Sequence, residues 1–251
     1  MKGKFFQKPL ELGLEVQGES WRQGDPIQGR LTVKNHGAES PAQDIQVHLA
    51  WGTLKKVHKK EDGAFEILST LGFSSDTRIP AQGDATLDWK FQTEINCPIT
   101  DSTDSLFLVY GSGEKLENLG QLQLKILPSQ IVLDFLDVLN TEHRFVLKSH
   151  KFSKGWVESK FSPPSSKSFA MVDLLTIRTR FEGENLEVKY SFQVKKLEST
   201  AASMDTKKDK REHYQLVAPH QLRIPSGRVN FPEIEKLLRE ALDLVESKVV
   251  F

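Results

Sequence analysis

The sequence predicts a mainly β chain folded as two domains, the first an immunoglobulin-like sandwich. Three observations predict it. Apolar residues fall at every second position through the first half, the period changes from 2 to 3.6 after Pro128, and alternation then returns before a closing amphipathic segment.

The first strands are marked by Leu12, Leu14 and Val16, by Ile27, Leu31 and Val33, and by Ile45, Val47, Leu49 and Trp51. Each run offers one face to a core. Between them "WRQGDP", "NHGAESPAQ" and "KKEDGA" supply the Gly, Pro, Asn, Asp and Ser that turns require. Leu87, Trp89 and Phe91, then Leu106 to Tyr110, then Leu122, Leu124 and Ile126 continue the pattern to about seven strands, the number of an immunoglobulin-like sandwich.

After Pro128, Val132, Phe135, Leu136 and Leu139 share one helical stripe while Asp134 and Asp137 point away, so a short amphipathic helix marks the junction. The predicted domains are residues 1–128 and residues 129–251. Alternation through "RFVLKSHKF", "GWVESKFS", "SFAMVDLLTIRTRF" and "NLEVKYSFQVKKLE" makes the second domain mainly β. The polar stretch "ESTAASMDTKKDKREHY", Glu198 to Tyr214, reads as a mobile loop. Asn230 then caps a last helix running from Phe231 to about Ser247, with Pro232 in its first turn. Ile234, Leu237, Leu238, Ala241, Leu242 and Val245 form its apolar stripe, which predicts packing within the chain.

The chain has 251 residues, 38% of them hydrophobic and 27% charged, enough for a genuine core. Lys+Arg and Asp+Glu both total 34, so no global field draws in nucleic acid or an anionic membrane. Cys97 is the lone cysteine, which excludes an internal disulfide framework and fits a reducing compartment. The N-terminus turns polar before an apolar stretch develops, and no apolar run approaches the roughly 20 residues of a membrane helix, so a cytoplasmic protein without a transmembrane segment is expected.

The punctuated turn in "SWRQGDPIQGRLTVKN" carries the first resemblance. Its pattern of an aromatic, Gly-Asp, an apolar residue, a second Gly and alternating apolar positions, Trp21 to Val33, resembles the signature near the start of arrestin-like N-domains. The segment "SQIVLDFLDVLNTEHRFVLKSHKF" followed by "GWVESKFSPP" is similar to the start of the second domain in the bacterial sporulation-control (SpoOM-type) arrestin-like family. Together they span roughly residues 8 to 195. The resemblance implies two arrestin-like β-sandwich domains and a cytoplasmic, non-catalytic scaffold or regulator that acts on protein partners. Gly29 is expected to sit where a Cβ would crowd a neighbouring strand.

Candidate chemistry is sparse. The sequence contains no P-loop, no suitably placed GxGxxG and no HExxH, so no cofactor is expected. Gly111-Ser112-Gly113-Glu114-Lys115 holds a Ser-x-x-Lys spacing, but in a hairpin loop rather than at the helix start that such acyl-enzymes use. His48 and His58, like His143 and His150, are too far apart for local metal pairs, and His48 is expected on the solvent side of its strand. Asp134 and Asp137 lie on a helix face without the cleft that paired catalytic carboxylates need. Cys97, before Pro98, reads as a small buried hydrophobe. The conspicuous charged cluster is Lys207, Lys208, Lys210 and Arg211, a candidate docking site diluted by Asp205, Asp209 and Glu212 and without an interleaved aromatic for base stacking. The expected function is a protein-binding adaptor. The alternative is a hydrolase or carbohydrate-binding sandwich whose site is assembled from distant loops.

Overall fold

The computed structural model describes residues 1–42, 44–199 and 204–246, with the backbone alone described at 196–199 and 204–208. The chain divides into two compact units, Met1–Leu127 and Pro128–Phe251. Unit 1 runs β1 (Lys2–Gln7), β2 (Leu10–Val16), β3 (Trp21–Arg22), β4 (Pro26–Asn35), β5 (Ser40–Pro41), β6 (Ile45–Thr53), α1 (Leu54–Lys59), β7 (Phe65–Gly72), β8 (Arg78–Ile79), β9 (Asp84–Gln92), β10 (Asp104–Ser112), β11 (Gly120–Gln123) and β12 (Ile126–Leu127).

Two antiparallel sheets, β1-β2-β4-β9 and β11-β10-β6-β7, make its sandwich. The alternating residues behave as their spacing requires: Leu12, Leu14, Ile27, Leu31 and Val33 are buried on one sheet, and Val47, Leu49, Leu106 and Leu108 on the other. The opposite face of the second sheet is covered too, because Ala50, Phe107 and Val109 form a smaller core with Val57 of α1, Ala64 and Leu119. On this face His48 corrects the expectation of a solvent-side residue: it lies cross-strand from Val109, is buried, and is hydrogen-bonded through Nδ1 to Thr70 Oγ1 at 2.8 Å.

The punctuated turn closes around Asp25, whose carboxylate accepts the Arg22 N–H at 2.8 Å while Gly24 takes φ +89°. It holds Trp21, buried, in a short parallel pairing with Ile126 at the far end of the unit. The first strand β1, helix α1 and strand β7 carry no clear alternation, and periodicity does not announce them.

Unit 2 runs α2 (Gln130–His143), β13 (Val146–Ser153), β14 (Trp156–Ser162), β15 (Val172–Glu182), β16 (Asn185–Ser199), β17 (Met204–Val217), α3 (Pro219–Leu222) and α4 (Phe231–Leu242). Strands β13 to β17 form one antiparallel sheet in sequential order. The layer opposite is helical: Val132, Phe135, Leu136 and Leu139 of α2 share a core with Phe161, Ile177, Val188 and Phe192 of the sheet and with α4. All six residues of the predicted C-terminal stripe are buried, although the helix ends at Leu242 and 247–251 lie outside the described residues. Asn230 occupies the cap position without a side-chain cap bond, and its amide donates instead to the His220 carbonyl at 3.0 Å.

The expectation of a mobile loop over Glu198 to Tyr214 is corrected. Met204–Val217 is a fourteen-residue edge strand in register with β16, and 200–203 alone of that stretch lie outside the described residues. Composition misleads here because an edge strand gains its backbone ladder from one neighbour and tolerates charge on exposed positions, which also blunts unwanted pairing. Inward-facing Gln215 and Val217 bury against the helical layer.

Candidate functional site

A groove in unit 2 brings together residues that the sequence separates. Helix α2 begins at Ser129, whose Oγ accepts the Val132 N–H at 3.3 Å. It ends with Arg144 in the left-handed region at φ 58°, where the Arg144 N–H donates to the Asn140 carbonyl at 3.1 Å and the Phe145 N–H to the Leu139 carbonyl at 3.3 Å. This C-terminal motif seats Phe145 in the core and sends the chain directly into β13. The edge strand therefore starts beside the helix it follows.

The groove has a volume of about 530 Å³. One face of α2 supplies Leu133, Asp134 and Asp137, and β13 supplies Val146, Leu147 and His150. Val146 and Leu147 are 52% and 40% exposed, unusual for branched aliphatic residues beside a concave surface. The spacing Gln130, Leu133, Asp134, Asp137 and Asn140 is one helical face, the side turned away from the buried stripe.

Its electrostatics are acidic on one wall. Asp134 is held by the Gln130 amide at 2.6 Å and by the Arg223 guanidinium, so its charge is partly compensated. Asp137 is exposed and has no ion-pair partner among the described residues. His150 is hydrogen-bonded through Nδ1 to Ser159 Oγ at 2.8 Å, and burial holds its pKa below the usual imidazole value, leaving it neutral near pH 7. Ser159 is fully buried, so this bond orients the ring and does not offer a hydroxyl to a substrate. The surface is suited to apolar side chains accompanied by a cation.

The other predicted residues are dispersed. Lys210 is exposed and ion-paired to Glu212 at 2.5 Å, whereas Arg211, its neighbour, reaches the Leu244 carbonyl beyond the end of α4. Consecutive strand residues face opposite sides of a sheet, so these two cations do not form one patch. The side chains of Lys207 and Lys208 lie outside the described residues. Ser112 ends β10, with its backbone carbonyl accepting the Gln7 amide at 2.5 Å, and Lys115 lies 3.9 Å from Asp62. Cys97 is buried, and burial pushes its thiol up to about 12. Among the described residues no group of three or more His, Cys, Asp or Glu could hold a metal ion. No helix there is long and apolar enough to cross a membrane. Sequence reading set aside Asp134 and Asp137 as a helix face without a cleft and His150 as too far from His143, and the groove corrects that for all three; it also missed the exposed aliphatic pair on β13, whose only signal was "FVL" at the start of an edge strand.

No protein-family model matches the chain, and no curated protein matches it. Among solved structures it is similar to the crystal structure of Spo0M, a sporulation control protein from Bacillus subtilis. The TM-score is 0.62 at 13% identity, over 94% of this chain and 98% of that one. The chain is mainly β with an arrestin-like fold.

Proposed function

We propose that this chain is a non-catalytic, cytoplasmic, arrestin-like regulator that binds a protein partner, with the α2–β13 groove receiving a basic and apolar segment of that partner. The observation that carries the reading is the groove itself: exposed Val146 and Leu147 face a helix wall bearing Asp134 and Asp137. A sheet edge beside a helix is a surface on which an extended peptide gains backbone bonds from the strand and side-chain pockets from the helix. The regulatory part of the reading leans on the fold shared with a sporulation control protein, and the compartment on one buried, unpaired cysteine. The division between Leu127 and Pro128, one residue before the expected 128/129 boundary, is proposed as a domain boundary, with the two compact units as separate folding units.

A displayed peptide library panned against the purified chain tests the binding reading. Enriched sequences should combine Lys or Arg with Leu, Val or Ile, and Asp137→Lys or Leu147→Asp should abolish enrichment while far-UV spectra stay unchanged. Enrichment that survives both substitutions overturns the groove as the site. Reproducible turnover of ester, phosphoester or glycoside substrates after repurification overturns the non-catalytic reading in favour of a hydrolase.

A further inference from the structure

Strand β7, "FEILSTLG", is the free edge of the sheet β11-β10-β6-β7 in unit 1. Every residue from Glu66 to Gly72 is exposed, including Ile67 at 47%, Leu68 at 45% and Leu71 at 38%. Other long edges in the molecule are guarded by charge: β1 carries Lys2 and Lys4, β9 carries Asp84, Asp88 and Lys90, and β13 carries Lys148 and Lys151. From Ile67 to Ser75 there is no charged residue at all. An uncharged edge lacks the repulsion that normally prevents pairing, and it offers no charge with which to select a basic or acidic partner.

We propose that β7 is a self-association edge, at which a second copy of this chain adds antiparallel across a two-fold axis near Thr70. The Phe73 N–H donates inward to the Ile45 carbonyl at 3.3 Å, so ladder alternation turns the backbone groups of Thr70 and Gly72 outward to the open edge. Leu49 pairs with Ser69 and Ala50 with Ile67, so Leu68 is a bulge and the regular ladder runs from Ser69 to Phe73; centring the pair on Thr70 puts Thr70 opposite Thr70 of the copy and Ser69 opposite Leu71. The faces agree as well. Ser69 and Leu71 lie opposite Leu49 and Val47, on the inner side of the sheet, while Thr70 lies opposite His48 on the outer side. No like charges meet, and threonine pairs and apolar cross-strand pairs are favourable.

Hollows beside both faces of β7 can take side chains of the added strand. One of about 170 Å³ is lined by Leu49, Leu68, Ser69 and Leu106, and one of about 460 Å³ by Gln46, His48 and Ile67. One eight-residue strand a side sits below the roughly 1,200–2,000 Å² of a standard stable interface, so the dimer is weak and appears with concentration. The arrangement is isologous and closes at two copies. It is independent of the groove in unit 2.

Sedimentation velocity between about 5 and 500 µM, a range suited to weak interfaces, should show monomer passing to dimer. Thr70→Lys sets two cations on the axis and should move the midpoint at least about tenfold higher. Thr70→Cys needs no large side chain and should cross-link to a disulfide dimer under mild oxidation, because cross-strand Cα separations fall within disulfide range. Lys4→Cys on the β1 edge is the control, and buried Cys97 does not compete. A monomer throughout the range, or Thr70→Cys cross-linking no faster than Lys4→Cys, overturns the proposal. A ladder of species beyond the dimer overturns its two-fold closure.

Discussion

A Cβ on Gly29 would lie 2.6 Å from the Trp89 ring and 2.0 Å from the Glu15 carbonyl oxygen. Gly29 and Trp89 are cross-strand partners on β4 and β9, and the indole occupies the space that the glycine leaves open. Neither neighbour is free to move, since one is a backbone oxygen and the other a buried ring. Gly29→Ala should therefore destabilise unit 1, and Gly29→Val should cost at least about 1–3 kcal/mol. Urea melts of the two variants check it; a midpoint equal to that of the parent would contradict the crowding.

Cys97 should be inert in the folded chain. Its thiol is buried, and desolvation pushes it up to about 12 from an ordinary value near 9, so thiolate is scarce at neutral pH. Reaction with an aromatic disulfide reagent at pH 8 should be slow until denaturant is added. Because the folded value is raised, its stabilising contribution is complete below pH about 9 and lost as pH rises toward 12. Rapid labelling of native protein would show the thiol to be reachable.

His48 and His150 should make the chain less stable in mild acid. Burial lowers both below the ordinary 6.5, so in the window beneath that value the unfolded chain binds more protons than the folded one. The stabilisation is complete above pH about 6.5 and is lost as pH falls through the folded values. Melting temperature should fall between pH 7.5 and 5, and His48→Gln and His150→Gln should each flatten the slope. A slope unchanged in both variants would assign the acid sensitivity to other groups.

Leu238 should be a keystone of unit 2. It is fully buried on α4, in the core that joins both helices to the sheet. Leu238→Ala should cost about 2–5 kcal/mol, the range for truncating a buried leucine. Truncation after Arg228 removes the whole buried stripe and should abolish cooperative folding of this unit, read by calorimetry. A truncated chain that melts like the parent would show α4 to be dispensable.

Periodicity foretold the elements whose burial is one-sided. Leu12, Leu14 and Val16 alternate because β2 has one face in a core, and the stripe from Ile234 to Val245 repeats at 3.6 because one side of α4 is covered. The same logic fails where cover is two-sided or absent. His48 is buried on the outer face of its sheet, cross-strand from Val109 and bonded to Thr70, and β7 shows no pattern because both of its faces meet solvent. Strand β17 is hidden by its charges, since an edge needs only a backbone ladder.

By itself the sequence determined local matters: the strand and helix periods, the turn around Gly24 and Asp25, the crowded glycine at Gly29 and the lack of a catalytic motif. Those depend on residues close in the chain or on the shape of one side chain. The tertiary structure alone decided that Asp137 and Leu147 share a groove, that Lys210 and Arg211 part to opposite faces, and that Ile67 and Leu71 stand on an open edge. Each depends on which neighbour covers a face, and that is settled by long-range strand pairing and helix docking, to which the spacing of residues within one segment is blind.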